Sequence, residues 1–228
     1  MSTGRHVGRR EFLVATGGLL GGLGAATVDA ASATGPAPKR DPAQLRRLLG
    51  DMEAKGGQYW SVPRQDGKFL QFLIKATRAT RVLEIGTSHG FSAIWMGLAL
   101  EETGGRLTTI EIDRTRHDLA RRHVGEAGLA QRITLICGDA HAELPRLDGP
   151  FDFVFLDADK EGQVAYFNTL HPKRLVPGGL LAVHNAIHQA GAMRDYLSLV
   201  QRHPGFDTVI VSATLSDGFC LSYRRRAA

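Results

Sequence analysis

Residues 81–92, Arg-Val-Leu-Glu-Ile-Gly-Thr-Ser-His-Gly-Phe-Ser, decide how this chain folds. A short β-favouring run ends at Gly86, and an apolar helical stretch opens at Phe91. A strand that turns into a helix through two glycines is the opening of a parallel βαβ unit. The pattern repeats towards the C-terminus. Strands are expected at 107–112, 132–137, 151–156 and 179–183, alternating with helices at 91–100, 114–127, 162–173 and about 190–201, and with a helical turn at 140–144. Residues 207–213 and 219–223, around Ser216-Asp217-Gly218, read as an antiparallel hairpin. Upstream, Asp41-Pro42 signals a helix running to about Lys55. A turn-rich link from Gly56 to Gly67 follows, then a helical stripe on Phe69, Leu70, Phe72 and Leu73 to about Ala79. The sum is an α/β sandwich: a mostly parallel sheet, helices on both faces, and an antiparallel edge.

The 228 residues, 43% apolar, suit one domain plus an extension and exclude wholesale disorder. Two cysteines exclude a disulfide framework or a Cys-rich zinc module, and Cys137 and Cys220 are expected as buried thiols. No uncharged apolar run is long enough for an ordinary transmembrane helix. The extension is N-terminal. Arg9-Arg10-Glu11-Phe12-Leu13, a glycine-rich apolar stretch, and small-residue sites at Val28-Asp29-Ala30 and Ala31-Ser32-Ala33 read as a twin-arginine export signal. The expected organisation is a signal over 1–33, a linker over 34–40 and the domain over 41–228. It carries the expectation of a periplasmic or extracellular protein with no stable membrane insertion after cleavage, a cytoplasmic location being the alternative. The net charge is +5 and the pI near 9.5. Arg5, Arg9, Arg10, Glu11 and Asp29 precede Thr34, so the remainder carries an excess of four positives, three of them Arg224, Arg225 and Arg226. A nearly neutral body excludes a nucleic-acid footprint, and the arginine run reads as a solvated tail.

In sheets of this kind ligands sit beyond the C-terminal strand ends. At the first end, Gly86 and Gly90 let a ligand approach the backbone, and the helix opening at Phe91 offers free N–H groups to a carboxylate. The spacing is not Gly-x-Gly-x-x-Gly, so a dinucleotide fingerprint does not match. At the second end, Glu111 is placed to accept hydrogen bonds from both ribose hydroxyls, and Asp113 to cap the next helix. At the third, Asp139 can meet an exocyclic adenine amine or cap a helix. These ends describe a site for an adenosine bearing a carboxylate. S-adenosylmethionine fits that better than NAD or ATP.

With these residues in view, the chain from Val62 to Tyr223 resembles the class I S-adenosylmethionine-dependent O-methyltransferases of the catechol and caffeoyl-CoA group. The carrying motifs are Val-Leu-Glu-Ile-Gly-Thr-Ser-His-Gly-Phe-Ser (82–92), Thr-Ile-Glu-Ile-Asp (109–113), Gly-Asp-Ala (138–140), Phe-Asp-Phe-Val-Phe-Leu-Asp-Ala-Asp-Lys (151–160) and Asp-Gly-Phe-Cys-Leu-Ser (217–222). The resemblance implies a Rossmann-like methyltransferase fold with seven strands, one of them an antiparallel hairpin strand. It implies methylation of a hydroxyl on a small aromatic, phenol- or catechol-like substrate, and a homodimer. By position it implies Val62 along the cofactor, Glu84, Gly86 and Ser92 around its methionine part, Glu111 at the ribose, and Asp139 and Ala140 at the adenine. Asp157 corresponds to a metal ligand at the cofactor end, and Lys160 to the group that helps deprotonate the substrate.

The departure lies at the fifth strand end, where metal-dependent relatives carry Asp-Asn and this chain carries His184-Asn185. Three readings stand. Asp157, His184 and Asn185 hold a borderline divalent ion such as Mn, Fe or Zn better than Mg. Alternatively His184 is a general base without metal. In the third, the domain binds cofactor but has lost activity, an exported binding or scaffold protein. His89 and His141 are expected on the polar rim. Tyr59 and Trp60 are read as packing residues of the entry helices, with stacking on an aromatic ligand as the alternative.

Overall fold

The computed structural model describes residues 40–212 and 217–226. The expected signal, all of the linker but Arg40, and part of the hairpin tip lie outside the described residues.

Two helices, α1 (Pro42–Ala54) and α2 (Arg64–Thr77), precede the alternation. Then follow β1 (Arg81–Ile85), α3 (Phe91–Thr103), β2 (Arg106–Glu111), α4 (Arg114–Glu126), β3 (Ile133–Cys137), α5 (Ala140–Glu143), β4 (Phe151–Leu156), α6 (Gln163–Leu170) and β5 (Leu175–His184). The chain ends α7 (Arg194–Arg202), β6 (Phe206–Val211) and β7 (Phe219–Arg224). The seven strands form one sheet in the order β3-β2-β1-β4-β5-β7-β6. β1 to β5 pair in parallel, and β7 runs antiparallel to both neighbours. Among the described residues no helix is long and apolar enough to cross a membrane.

Strand alternation divides the core into two layers. Val82, Leu107, Phe153, Phe155 and Ala182 face α1, α2 and α3, whereas Leu83, Ile85, Val154, Leu156 and Val183 face α6 and α7. α3 is apolar all round, since α2 covers the side that the sheet does not, and Phe91, Ile94 and Met96 are fully buried. Gly67 makes that cover possible: a Cβ there would lie 2.3 Å from the Trp95 ring.

Two boundaries shift in ways that bear on the site, and one reading of the C-terminus changes. α2 begins at Arg64, so Asp66-Gly67 lies in its first turn and not in a link. Pro63 fixes that start, and the stripe on Leu70 and Ile74 extends backwards through Asp66. β5 begins at Leu175, running through Pro177-Gly178-Gly179 across a register shift opposite β4. The arginine run is a solvated tail only in part, Arg225 and Arg226 being exposed and Arg224 half-buried. Arg224 closes β7 and donates to the carbonyls of Pro172 and Leu175, while Arg225 donates to the Asp207 carboxylate (2.5 and 2.9 Å). Antiparallel pairing of β7 with β5 brings Arg224 back to the start of β5, and pairing with β6 sets Arg225 beside Asp207.

Candidate active site

The C-terminal ends of β1 to β5 open into one cleft of about 880 Å³, within the usual size of a ligand site. Val62, Gly86, Ser92, Glu111, Asp139, Ala140, Asp157, Lys160, His184 and Asn185 all line it. Parallel register alone brings strand ends as distant in sequence as Gly86 and Asn185 to one edge. Gly90 and Glu84 do not line it. Gly90 caps α3 at a left-handed φ and abuts the Ala120 backbone. Glu84 is fully buried beneath the floor, where Ser92 Oγ and Thr109 Oγ1 each donate to it at 2.5 Å. Burial pushes Glu84 up to about 7, with the two hydroxyls pulling the other way.

At the β1 end, a Cβ on Gly86 would lie 2.6 Å from the Asp157 carbonyl oxygen, and its φ is +98°. Only glycine keeps the β1 and β4 ends this close. At the β2 end, the Glu111 carboxylate accepts from the amides of Ser88 (2.7 Å) and Asp113 (3.0 Å), and Arg116 Nε lies 3.3 Å away. A carboxylate offers about four acceptor positions, so capacity remains for a ligand. Asp113 caps α4 and Asp139 caps α5, accepting from Arg116 N and His141 N. Asp139 does so while lining the cleft.

Four described residues other than glycine have positive φ: Trp60, Arg78, Ser88 and Asn185. All but Arg78, the C-cap of α2, line the cleft. Strain of this kind collects where a ligand must be met. Trp60 is 79% exposed on the rim beneath the Arg116 guanidinium, at 5.3 Å, so it is not a packing residue. Tyr59 stacks on His89 at 4.8 Å. His89 is buried, not on the rim. Its Nε2 lies 2.6 Å from Ser61 Oγ, and burial, with His123 and Lys55 adding, lowers it to about 4. His141 does line the cleft, stacked on Tyr166.

The charged centre lies between β4 and β5. Lys160 Nζ donates to Asp157 Oδ1 at 2.9 Å. His184 Nε2 lies 2.8 Å from Asp66 Oδ2, and His184 Nδ1 lies 3.4 Å from Asp157 Oδ1. Burial raises Asp157, but the charges of His184 and Lys160 outweigh it and hold the carboxyl below its ordinary value. Burial likewise lowers His184, and Asp157 and Asp66 outweigh that, raising it to about 9. Asp66 is fully buried and 118 residues from its partner. It is the site residue that sequence reasoning missed. An acidic residue in the first turn of an apolar helical stripe was the available signal.

The donor set fits a divalent cation. The Nε2–Asp66 contact is an ordinary hydrogen bond, whereas 3.4 Å from Nδ1 to Asp157 is too long for a good one. Two ligands of one ion, each about 2.1 Å from it, stand roughly 3 to 3.5 Å apart. Asn185 follows His184 directly, in the left-handed conformation that lets a short polar residue turn into the cleft.

A mostly parallel sheet with a carboxylate at the second strand end and a charged centre at the fourth and fifth defines an α/β protein with a ligand cleft at its carboxyl strand ends. The sequence pattern of the O-methyltransferase family matches residues 39–203. The catechol O-methyltransferase of Mycobacterium tuberculosis is 36% identical over 199 residues, covering 81% of this chain and 90% of its own length. The structure of cofactor-bound Rv0187 from MTB superposes with a TM-score of 0.73 at 35% identity, covering 82% of this chain and 92% of that one. The Bacillus cereus O-methyltransferase in complex with SAH gives 0.72 at 28% identity, over 82% and 93%. The chain belongs to the O-methyltransferase family.

Proposed function

We propose that the protein transfers the methyl group of S-adenosylmethionine to a hydroxyl of a small phenol- or catechol-like aromatic. The cluster of Asp157, Lys160, His184 and Asn185 beside the cleft's carboxylate end carries the reading. S-adenosylmethionine fits what the cleft offers. Glu111 has acceptor capacity for ribose hydroxyls, Asp139 an acceptor for the adenine amine, and Gly86 and the α3 N-terminus, whose Gly90 cap supplies no side-chain acceptor, leave room for the methionine part. Val62, Ser92 and Ala140 complete its walls.

The sulfonium is a ready methyl donor, so the protein's task is to present an oxygen with its proton gone, in line with the S–CH3 bond. The O–CH3 bond forms as the S–CH3 bond breaks, and its electron pair stays on sulfur as S-adenosylhomocysteine. A phenol near pKa 10 is mostly protonated at neutral pH. The phenol proton passes to solvent water, and Lys160, held by Asp157 at 2.9 Å, presents an ammonium to the oxyanion as it forms. Asp157, His184 and Asn185 are the donors that would hold a divalent ion, which when bound lowers the hydroxyl pKa and orients the acceptor. Tyr59 and Trp60 border the cleft as aromatic surfaces.

The test is incubation of purified protein with S-adenosylmethionine and a panel of catechols, simple phenols and aliphatic alcohols, following S-adenosylhomocysteine and product mass. Methylated catechol or phenol is expected. Cofactor binding without transfer to any acceptor points to the non-catalytic reading, and absence of cofactor binding at millimolar concentration removes both.

Export remains part of this reading. Arg9-Arg10 and the small-residue sites near Ala30 and Ala33 support it, and cell fractionation with N-terminal sequencing tests it. A protein confined to the cytosol with Met1 retained overturns it.

A further inference from the structure

We infer that Asp66 rebuilds this chain's cation seat around an imidazole. By holding the proton of His184 on Nε2, it makes Nδ1 a ligand beside Asp157 and Asn185, and so selects a borderline transition ion over magnesium. The inference deepens the methyltransferase reading and rests on it.

A neutral imidazole has one N–H and one lone pair, and the group facing each nitrogen decides which is which. In this chain the two nitrogens face different carboxylates at different distances. Asp66 Oδ2, at 2.8 Å, takes the hydrogen bond. Asp157 Oδ1, at 3.4 Å, stands off as a fellow ligand does. When an ion displaces the second proton that His184 carries, the lone pair it frees is the Nδ1 one, on the side that faces Asp157. Histidines that bind metals usually give their second N–H to a carboxylate, which fixes the ring and raises its basicity. Asp66 has what that role needs: it is fully buried, rides on a helix start, and is packed where Gly67 meets Trp95.

The ion class follows from the donors. Replacing a carboxylate by an imidazole removes one negative oxygen and adds a softer nitrogen. Magnesium prefers oxygen ligands in a near-ideal octahedron, whereas Mn, Fe, Co and Zn accept imidazole readily. Charge points the same way. Asp66, Asp157 and Asp217 are three carboxylates around His184, with Lys160 the ammonium on Asp157. Asp217 also lies close enough to share an ion with Asp66 and His184. That alternative seat would use Nε2 and replace the Asp66 hydrogen bond. Asp217 lines the cleft as Asp157, His184 and Asn185 do, but Asp66 does not, so that alternative seat would need an ion to pass below the cleft wall and break the 2.8 Å Asp66 hydrogen bond, whereas the Nδ1 side is reached with that bond intact.

The experiment measures binding of Co(II), Zn(II), Mn(II) and Mg(II) by equilibrium dialysis with metal analysis. The protein is saturated with S-adenosylhomocysteine so that no turnover occurs, and the Co(II) visible spectrum serves as a second readout. The full chain should bind one Co(II) or Zn(II) at least about tenfold more tightly than Mg(II), with a d–d spectrum of nitrogen–oxygen coordination. Asp66→Asn should weaken Co(II) binding about 10- to 100-fold, and Asp66→Glu should recover part of that loss. His184→Asp should reverse the preference towards Mg(II). Asp217→Asn should stay within about twofold of the parent. Cofactor affinity and thermal unfolding, measured on every variant, separate misfolding from loss of the seat. Three results overturn the inference: no ion bound by the parent, an Asp66→Asn variant with parental Co(II) affinity while folded, or loss of the ion in Asp217→Asn. If the parent binds no S-adenosylhomocysteine, it is the methyltransferase reading that fails.

Discussion

Glu84→Gln should make the cofactor-free protein more stable above neutral pH while leaving it unchanged or slightly weaker near pH 4.5. Glu84 is fully buried, opposite Thr109 in the β1–β2 register, and takes hydroxyl hydrogen bonds from Ser92 and Thr109. Burial raises it from the ordinary 4.5 to about 7, the nearby charges of Asp157 and Glu111 adding to the rise. A carboxyl raised in this way keeps its proton in the folded state up to about pH 7, whereas the unfolded chain releases it near 4.5. Between those values the unfolded state binds fewer protons, so stability falls as pH rises. The gap between about 7 and 4.5 corresponds to about 3 kcal/mol, incurred in full above pH 7. Glutamine stays neutral throughout. Its amide keeps one acceptor and offers donors that the two hydroxyls can accept by rotating, at a loss of about 1 kcal/mol from weaker hydrogen bonds. The variant should therefore gain about 2 kcal/mol at pH 8. Urea unfolding of both proteins at half-unit steps from pH 4.5 to 8 gives the difference curve, in which all other titrations cancel. A sigmoid centred between pH 5 and 7 is expected. Parallel curves would refute the argument, because they would mean that Glu84 is ionised in the folded protein at low pH as it is in the unfolded one.

Gly86→Ala should cost about 2 kcal/mol or more in thermal or urea unfolding, since its Cβ meets the Asp157 carbonyl oxygen at 2.6 Å at a φ of +98°. A change under 0.5 kcal/mol contradicts the close approach of β1 and β4. Glu111→Gln should weaken S-adenosylmethionine about 10- to 100-fold by calorimetry, the worth of a charge-assisted hydrogen bond to the ribose, with little change in unfolding. Equal affinity would take Glu111 out of the cofactor site. Lys160→Met should lower kcat about 10²- to 10⁴-fold while cofactor affinity stays within a few-fold. A loss confined to cofactor binding would make Lys160 a partner of Asp157 and nothing more.

The strand ends were legible because a parallel sheet turns sequence order into position: the last residue of each strand arrives at the same edge. That is why Glu111 and Asp139 could be placed from strand-end position alone, with Asp157 and His184 added by the family resemblance, and why β4 was read with the bounds it has. Glu84 was misplaced by one layer. Alternation sets which face a strand residue takes, but not whether a later helix lays a serine over it, as Ser92 does. Arg224 was misread because a charge run looks the same in solvent as against carbonyl oxygens, and only the β5–β7 pairing puts Pro172 and Leu175 within its reach.

Asp66 was hidden by its neighbour. A glycine after an aspartate reads as a turn until Trp95 is known to lie on the glycine's Cα, so the helix was started five residues late and its first-turn acid went uncounted. The consequence reaches the chemistry. Taken alone, His184 in place of an aspartate left three readings open: an altered ion, a free base or a dead site. A buried acid on Nε2 is expensive to keep without a partner, and here it has one in the imidazole at 2.8 Å. A site that needs Nδ1 aimed at Asp157 and Asn185 needs that carboxylate, because without Asp66 the ring can turn over and offer the cleft the wrong nitrogen.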